Sequence, residues 1–274
     1  MDDRERCLRI EAIERRALLD GSTGMSEDVR AVLGRRIGRW GDVLAIATDS
    51  SPSVIVNRVM GVGLGEPADD RLLDAIAAHY RANREHAIHV APYAEPADLA
   101  GRLRARGYGH YFSWIKWWRD ASPPPPVTTT LRIARATPAD AGAVAGLLAT
   151  VFEQPPAVGR ATAQKIGMPG WRHFLAWDGT TPVAIAATFI ADDGAWFGVT
   201  GTLPAYRRRG AQLALLATRI EAVREAGCPL ITVETGADSR EKPNPSYHNV
   251  ARAGFRIAYE RASWVYPDPG RRGS

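Results

Sequence analysis

The stretch Thr202–Leu216, TLPAYRRRGAQLALL, leaves a β-like run, sets three arginines beside a glycine, and continues as an apolar helical pattern. The first turn of a helix has backbone N–H groups without intrahelical partners, and its dipole adds about half a positive charge there. Arginines at that end destabilise the isolated helix, so their placement points to a strongly negative ligand, and a pyrophosphate suits the site best. Gly210 has no Cβ, so backbone can approach a phosphate closely, and Arg207, Arg208 and Arg209 add charge and forked contacts around it. The competing explanation is a solvated surface cluster, because this chain uses arginine far more often than lysine.

Working outward, the residues before this stretch read as a three-strand meander: HFLAW, a turn at DGTT, PVAIAATFI, a turn at ADDG, and AWFGVTGTL. Asp-Gly turns between β-branched or aromatic runs are hairpin signals, and they account for Asp192 and Asp193. After it, Leu213, Leu216, Ile220 and Val223 recur at steps of three and four, a helix that stops at Gly227. PLITVET is a strand, SYHNVARAGF a short helix ending at Gly254, and RIAYERASWVY a last strand. Upstream, TLRIARAT is a strand and PADAGAVAGLLATVF a helix with Thr137 as N-cap and Pro138 at its first position.

The run ASPPPPVTTT, residues 121–130, cannot donate hydrogen bonds at its prolines and reads as an extended spacer. It divides the chain into residues 1–120 and 131–268, with 269–274 as a tail. The first part ends in the same order as the second. SVIVNRVMGVG is strand-like, PADDRLLDAIAAHYRANR a helix, AIHVAPYA a strand, DLAGRLRARGY a helix and YFSWIKWWR a strand. RARGYGHYFSWIKWW and ARAGFRIAYERASWV both place a glycine-aromatic pair between a basic helix and an aromatic-rich strand, which reads as a diverged internal duplication.

The totals bound the class. A chain of 274 residues with 45% hydrophobic and 24% charged residues suits two globular domains. A formal charge of +5 permits an anionic ligand but is too diffuse to mark a nucleic-acid binder. Cys7 and Cys228 match no metal spacing and read as buried small side chains, so no metal is expected. The N-terminus alternates charged and apolar residues at helical spacing, unlike a signal peptide or membrane span; a cytoplasmic protein is expected.

The order strand-helix, meander, P-x-Y-R-x-x-G-A opening a long helix, strand, then A-G-F and a last strand resembles the GNAT superfamily of acyl-CoA-dependent N-acyltransferases. The resemblance covers residues 131–268, and the first part looks like a second, degenerate GNAT-like domain. It implies an α/β (α+β) fold, two tandem domains with mixed sheets flanked by helices. It also implies that Arg207, Arg208, Arg209, Gly210, Ala211, Gln212 and Leu213 hold the pyrophosphate of coenzyme A. Gln212 departs from the family, which usually has a small residue there. The backbone at Thr200, Gly201 and Thr202 is then expected to splay from the next strand, hold the pantetheine arm and polarise the thioester carbonyl, an oxyanion-hole device. Gly198 and Gly201 fit a strand approached by a ligand, and equally a twisted strand end.

In the first part the corresponding loop, MGVGLGEPADDRLLD, has no arginine before its helix and crowds Glu66, Asp69 and Asp70 there. Those carboxylates satisfy the dipole and repel a pyrophosphate, so this part is expected to cover or complete the substrate site without binding coenzyme A.

For chemistry, Glu234 at the end of LITVET is the general-base candidate, with pairing to an arginine as the alternative. The family's usual acid is a tyrosine four residues before the glycine of the G-F pair. Here that position is Val250, and Tyr247, one turn earlier, is the substitute candidate. Asn244 and Asn249 are candidates to hydrogen-bond the pantetheine amides, Asn244 reading equally as a cap. Arg252 is a candidate nucleotide-phosphate contact, and His173 and His248 read as structural or surface residues. Trp171, Trp196, Phe197 and Trp264 suit either an apolar pocket or the core.

The expected activity is acetyl-CoA-dependent N-acetylation of a small-molecule primary amine. The alternatives are a coenzyme A-binding regulatory or scaffold protein, in which Val250 marks lost catalysis, or an acyltransferase using a longer acyl-CoA or a charged tRNA. No membrane partner is expected, and the sequence leaves oligomeric state open.

Overall fold

The structure is a computed structural model that describes residues 1–80 and 84–271. Residues 81–83 of the helix expected through Arg84, and residues 272–274 of the tail, lie outside these; the helix itself ends at His79. The chain forms two compact units: one of Met1–Ser22, Ala31–Ile115 and Ala258–Ser274, the other of Thr23–Arg30 and Lys116–Ile257. The proline run therefore lies inside the second unit, and the last strand begins in the second unit and finishes in the first.

In chain order the elements before the proline run are α1 (Asp3–Thr23), α2 (Glu27–Leu33), β1 (Arg35–Trp40), β2 (Val43–Thr48), β3 (Arg58–Met60), α3 (Asp70–His79), β4 (His86–Val90), α4 (Leu99–Ala105) and β5 (Gly109–Asp120). After it come β6 (Arg132–Arg135), α5 (Ala141–Phe152), α6 (Pro156–Ala163), β7 (Trp171–Asp178), β8 (Thr181–Ile190), β9 (Ala195–Thr202), α7 (Ala211–Glu225), β10 (Leu230–Gly236), α8 (Pro245–Arg252) and β11 (Arg256–Tyr266). Among the described residues no helix is long and apolar enough to cross a membrane.

In the first unit the strand order is β1-β2-β3-β4-β11. β3 is much shorter than the strand-like reading of residues 53–63: Val54–Val56 form a turn in which Val56 and Asn57 N–H groups donate to Ser53 O, and Gly61 and Gly63 turn the chain at φ +83° and +75°. The β1–β2 hairpin closes on the tight pair Trp40↔Val43; its alternating arginines and small residues give a weaker strand signal than the meander's aromatics. Val43, Ala45, Val59, Leu73, Ile76, Ile88 and Leu103 form the core.

α1 buries Ile10, Ile13 and Ala17, together with Glu11 and Glu14, both 0% exposed. Arg261 on β11 answers both carboxylates, at 3.1 Å from each Glu11 oxygen and 2.8 Å from Glu14. The Tyr259 hydroxyl donates to Glu11 at 2.7 Å, and Arg58 donates to Glu14 at 3.5 Å. Without such partners a buried carboxylate is costly.

In the second unit β5 lies beside β10, followed by β9, β8, β7 and β6. The meander forms as expected, with β7 antiparallel to β8 and β8 to β9, while β9 and β10 run parallel. α5 packs Val144, Leu147 and Leu148 against Leu175 and Ile185. α7 packs Ala211 and Leu215 against Phe174, Ala184 and Ala186. Leu215 is buried where the sequence pattern pointed to Leu213, which stays half-buried. The two similar segments also share local structure: α4 and α8 each end in a left-handed glycine, Gly107 at φ +86° and Gly254 at φ +84°, before β5 and β11.

Candidate active site

β9 is the axis of the site. Its register with β8 runs Ala186↔Thr200 and then Thr188↔Phe197, so Ala187 faces two residues, Gly198 and Val199. This is a β-bulge, which bends and twists its strand. Pairing of β9 with β10 covers Ile231↔Ala195, Thr232↔Trp196 and Val233↔Phe197, and ends at the residue before the bulge. From Gly198 to Thr202 the β10-side edge of β9 therefore faces a gap. Packing also demands the two glycines: a Cβ on Gly198 would run into the Trp196 ring, and one on Gly201 would lie 2.6 Å from Val151 Cγ1 of α5.

Past β9, Pro204–Tyr206 make a single 3-10 turn. Arg208 then takes φ +64° and Gly210 φ +81°, two left-handed residues that aim the chain into α7. Gly210 is the N-cap and has no side chain to offer. The first intrahelical bond is Ala214 N–H to Gly210 O at 3.0 Å, so the N–H groups of Ala211, Gln212 and Leu213 lack intrahelical partners. A Cβ at Gly210 would sit 3.0 Å from Thr128 O and 3.3 Å from Thr129 Cβ. Thr129 Oγ1 holds the loop by donating to Arg209 O at 2.8 Å.

The three arginines divide. Arg209 places a fork on Asp178 at 2.7 and 3.0 Å, and each member of this surface pair favours the charged form of the other, holding the Asp178 carboxyl below its ordinary value and raising Arg209. Asp178, read from sequence only as part of a turn, thus neutralises the third arginine. Arg207 and Arg208 are exposed. Arg207 Nε donates to Thr202 O at 3.4 Å, and Arg208 has no side-chain partner among the described residues.

α8 closes the other side. Gln212 Nε2 donates to Ser246 Oγ at 2.7 Å, and Asn249 Nδ2 donates to Gln212 Oε1 at 2.8 Å. The Gln212 side chain thereby ties the start of α7 to α8, while its backbone N–H lacks an intrahelical partner. Asn244 is the N-cap of α8, accepting from Ser246 N at 3.0 Å and donating to Gly236 O at 2.8 Å. Its Oδ1 makes the cap, one of its two sequence readings. Arg252 reaches Asn249 Oδ1 at 3.5 Å.

Glu234 stands on β10 one residue beyond the last β9 pair. Lys116 of β5 pairs with it at 3.2 Å. The next pair across the same two strands is Trp117 Nε1 donating to Thr235 Oγ1 at 2.9 Å. Tyr247 sits edge-on to Trp117, with ring centroids 4.7 Å apart, and makes no hydrogen bond to Glu234. Val250 is buried.

The remaining candidates are structural. Trp171, Trp196 and Phe197 are core residues of the second unit, and Trp264 is a core residue of the first. His173 is buried on β7 with neither ring nitrogen hydrogen-bonded, and burial pushes its pKa down to about 3. His248 is exposed beside Asp238. In the first unit, Asp69 caps α3 by accepting from Leu72 N at 2.8 Å, so a carboxylate fills the helix start that the second unit leaves open. No cluster able to hold a metal ion occurs among the described residues.

No protein-family profile matches the chain, and no curated protein is similar to it in sequence. Solved structures are similar in fold. A GCN5-related N-acetyltransferase from Kribbella flavida matches at a TM-score of 0.64 and 18% identity over 95% of both chains. A GCN5-related N-acetyltransferase from Sphaerobacter thermophilus matches at 0.59 and 16% identity over 81% of this chain and 79% of its own. A tandem GNAT protein from the clavulanic acid biosynthesis pathway matches at 0.57 and 16% identity over 90% and 86%.

Proposed function

From the GNAT fold of this chain, we propose that it is an acyl-CoA-dependent N-acyltransferase, with acetyl-CoA as donor and a small-molecule primary amine as acceptor. The observation that carries the reading is the junction of β9 and α7. A strand edge freed by a bulge leads within a few residues to a helix start with free N–H groups, a left-handed glycine and two exposed arginines.

That junction suits coenzyme A. The N–H groups of Ala211, Gln212 and Leu213 would hold the pyrophosphate, with Arg207 and Arg208 adding charge from the solvent side and Arg209 fixed by Asp178 as loop structure. The free edge of β9 at Thr200, Gly201 and Thr202 would take the pantetheine arm, with Asn249 of α8 as a side-chain amide for its hydrogen bonds. Bound acetyl-CoA supplies an acyl carbon activated as a thioester.

The chain's own contribution is orientation and fixed dipoles, which account for most of the gain in such reactions. As the amine nitrogen bonds to the acyl carbon and the C–S bond breaks, β9 N–H groups stabilise the developing oxyanion. Glu234 takes the amine proton and Tyr247 supplies one to the departing thiolate. Lys116, from the strand that ends the first part of the sequence, sets the orientation of Glu234.

The test is thiol release from acetyl-CoA across a panel of primary amines, with mass analysis of the product. Amine-dependent release with an acetylated product supports the reading. Coenzyme A binding with no release for any amine or acyl chain length favours the non-catalytic alternative, for which Val250 and the pairing of Glu234 speak. No binding at millimolar coenzyme A would remove the reading altogether.

A further inference from the structure

Arg219 is the least expected residue of α7. It is 1% exposed, yet no carboxylate pairs with it among the described residues. Its Nε donates to Leu215 O at 3.2 Å and its Nη1 to Ala187 O at 3.3 Å. Its guanidinium lies 4.3 Å from the centroid of the Phe197 ring. Burial alone pushes its pKa down to about 9. An arginine buried without a counter-ion is costly, and methionine or leucine would fill the same space on this helix without that cost.

The two groups it holds give the reason. Ala187 is the β8 residue that faces the two bulged residues of β9, and Phe197 is the last β9 residue to pair with β10. A bulge disrupts the ladder locally and leaves backbone groups to be satisfied elsewhere. Arg219 reaches this point of the ladder from the helix behind the sheet by donating to Ala187 O, and the same guanidinium lies on the ring where the two strands part.

We propose that Arg219 is a positioning residue of the donor cleft: its buried guanidinium pins the β9 bulge at Gly198–Val199 through Ala187 and Phe197, and so keeps β9 turned away from β10. The helix that offers its N-terminus to the pyrophosphate thereby also fixes, two turns further on, the strand opening that would take the pantetheine arm. The effect on donor binding rests on the acyltransferase reading; the effect on β9 does not.

The experiment compares the full chain with Arg219→Lys, Arg219→Gln and Phe197→Leu. Three measurements are made on each: melting temperature, coenzyme A affinity by calorimetry, and amide hydrogen exchange of peptides covering residues 195–203. In Arg219→Gln, coenzyme A affinity should fall about tenfold and exchange across 198–202 should quicken, while peptides from α5 and β7 are unchanged. Arg219→Lys, which keeps a cation and one donor, should recover at least a third of the lost affinity. If Arg219→Gln does not fold, Arg219→Lys and Phe197→Leu carry the test, each expected to quicken exchange in the same segment. Folded variants with wild-type exchange across 198–202 would overturn the proposal. Faster exchange in a protein whose wild type ignores coenzyme A would uphold the pin and sink the acyltransferase reading instead.

Discussion

Replacing Arg207 and Arg208 together by glutamine separates the charge of the cradle from its backbone. Both side chains are exposed; among the described residues the Arg208 side chain has no partner and Arg207 makes only a long bond of 3.4 Å to Thr202 O. Their loss should shift the melting temperature by no more than about 2 °C, in line with surface substitutions generally. The N–H groups of Ala211, Gln212 and Leu213 and the bend at Gly210 remain, so binding is weakened without being abolished.

Each exposed charge contact is worth a factor of a few in affinity, so the pair should cost about tenfold in coenzyme A Kd. The loss should be screened by salt, since the Debye length falls from about 10 Å at 0.1 M to about 3 Å at 1 M. Calorimetry with coenzyme A at both salt concentrations, and with pantetheine, which lacks the pyrophosphate, isolates the term. Pantetheine affinity should be the same in both proteins, and the coenzyme A difference should shrink at high salt. Equal coenzyme A affinities in the two proteins at low salt would refute the phosphate cradle.

Other outcomes follow from the same geometry. Gly210→Ala puts a Cβ at φ +81° and 3.0 Å from Thr128 O; the strain should cost about 1–2 kcal/mol and about 3–6 °C in a thermal melt. Arg261→Met leaves Glu11 and Glu14 buried without the Arg261 guanidinium and should cost about 3–5 kcal/mol in a denaturant titration. Glu234→Gln should cut the amine-acetylation rate about a hundredfold with donor Kd unchanged within twofold; an unchanged rate removes Glu234 as base.

Acid should destabilise the fold through two buried imidazoles, His86 with its pKa lowered to about 4 and His173 lowered to about 3, both chiefly by burial. The unfolded chain takes up these protons near pH 6.5 while the folded chain does not. Stability is therefore full above about pH 6.5 and lost as pH falls toward 4 and 3. At pH 5 each costs about 2 kcal/mol, and His173→Phe should flatten the fall of melting temperature between pH 7 and 5.

Much of the second unit is written locally. The Asp-Gly turns, the three- and four-residue spacing of leucines, and the arginine-glycine junction each depend on residues close in the chain, so β7, β8, β9 and α7 follow from short-range rules. The glycine at 210 is legible for the same reason, since a left-handed residue ahead of a helix requires almost nothing but itself.

Partner choice was not legible. Arg207, Arg208 and Arg209 are alike in sequence, and only folding brings Asp178 within reach of one of them, leaving the other two facing solvent. Glu11 and Glu14 look like a solvated helix face until Arg261, some 250 positions away in the chain, buries against them. Lys116 meets Glu234, and Arg219 meets the β9 bulge, in the same manner. Sequence determines periodicity and turn chemistry because these act over a few residues. Which charge finds which partner, and where two strands separate, depends on contacts between distant segments, and those exist only once the sheet has formed.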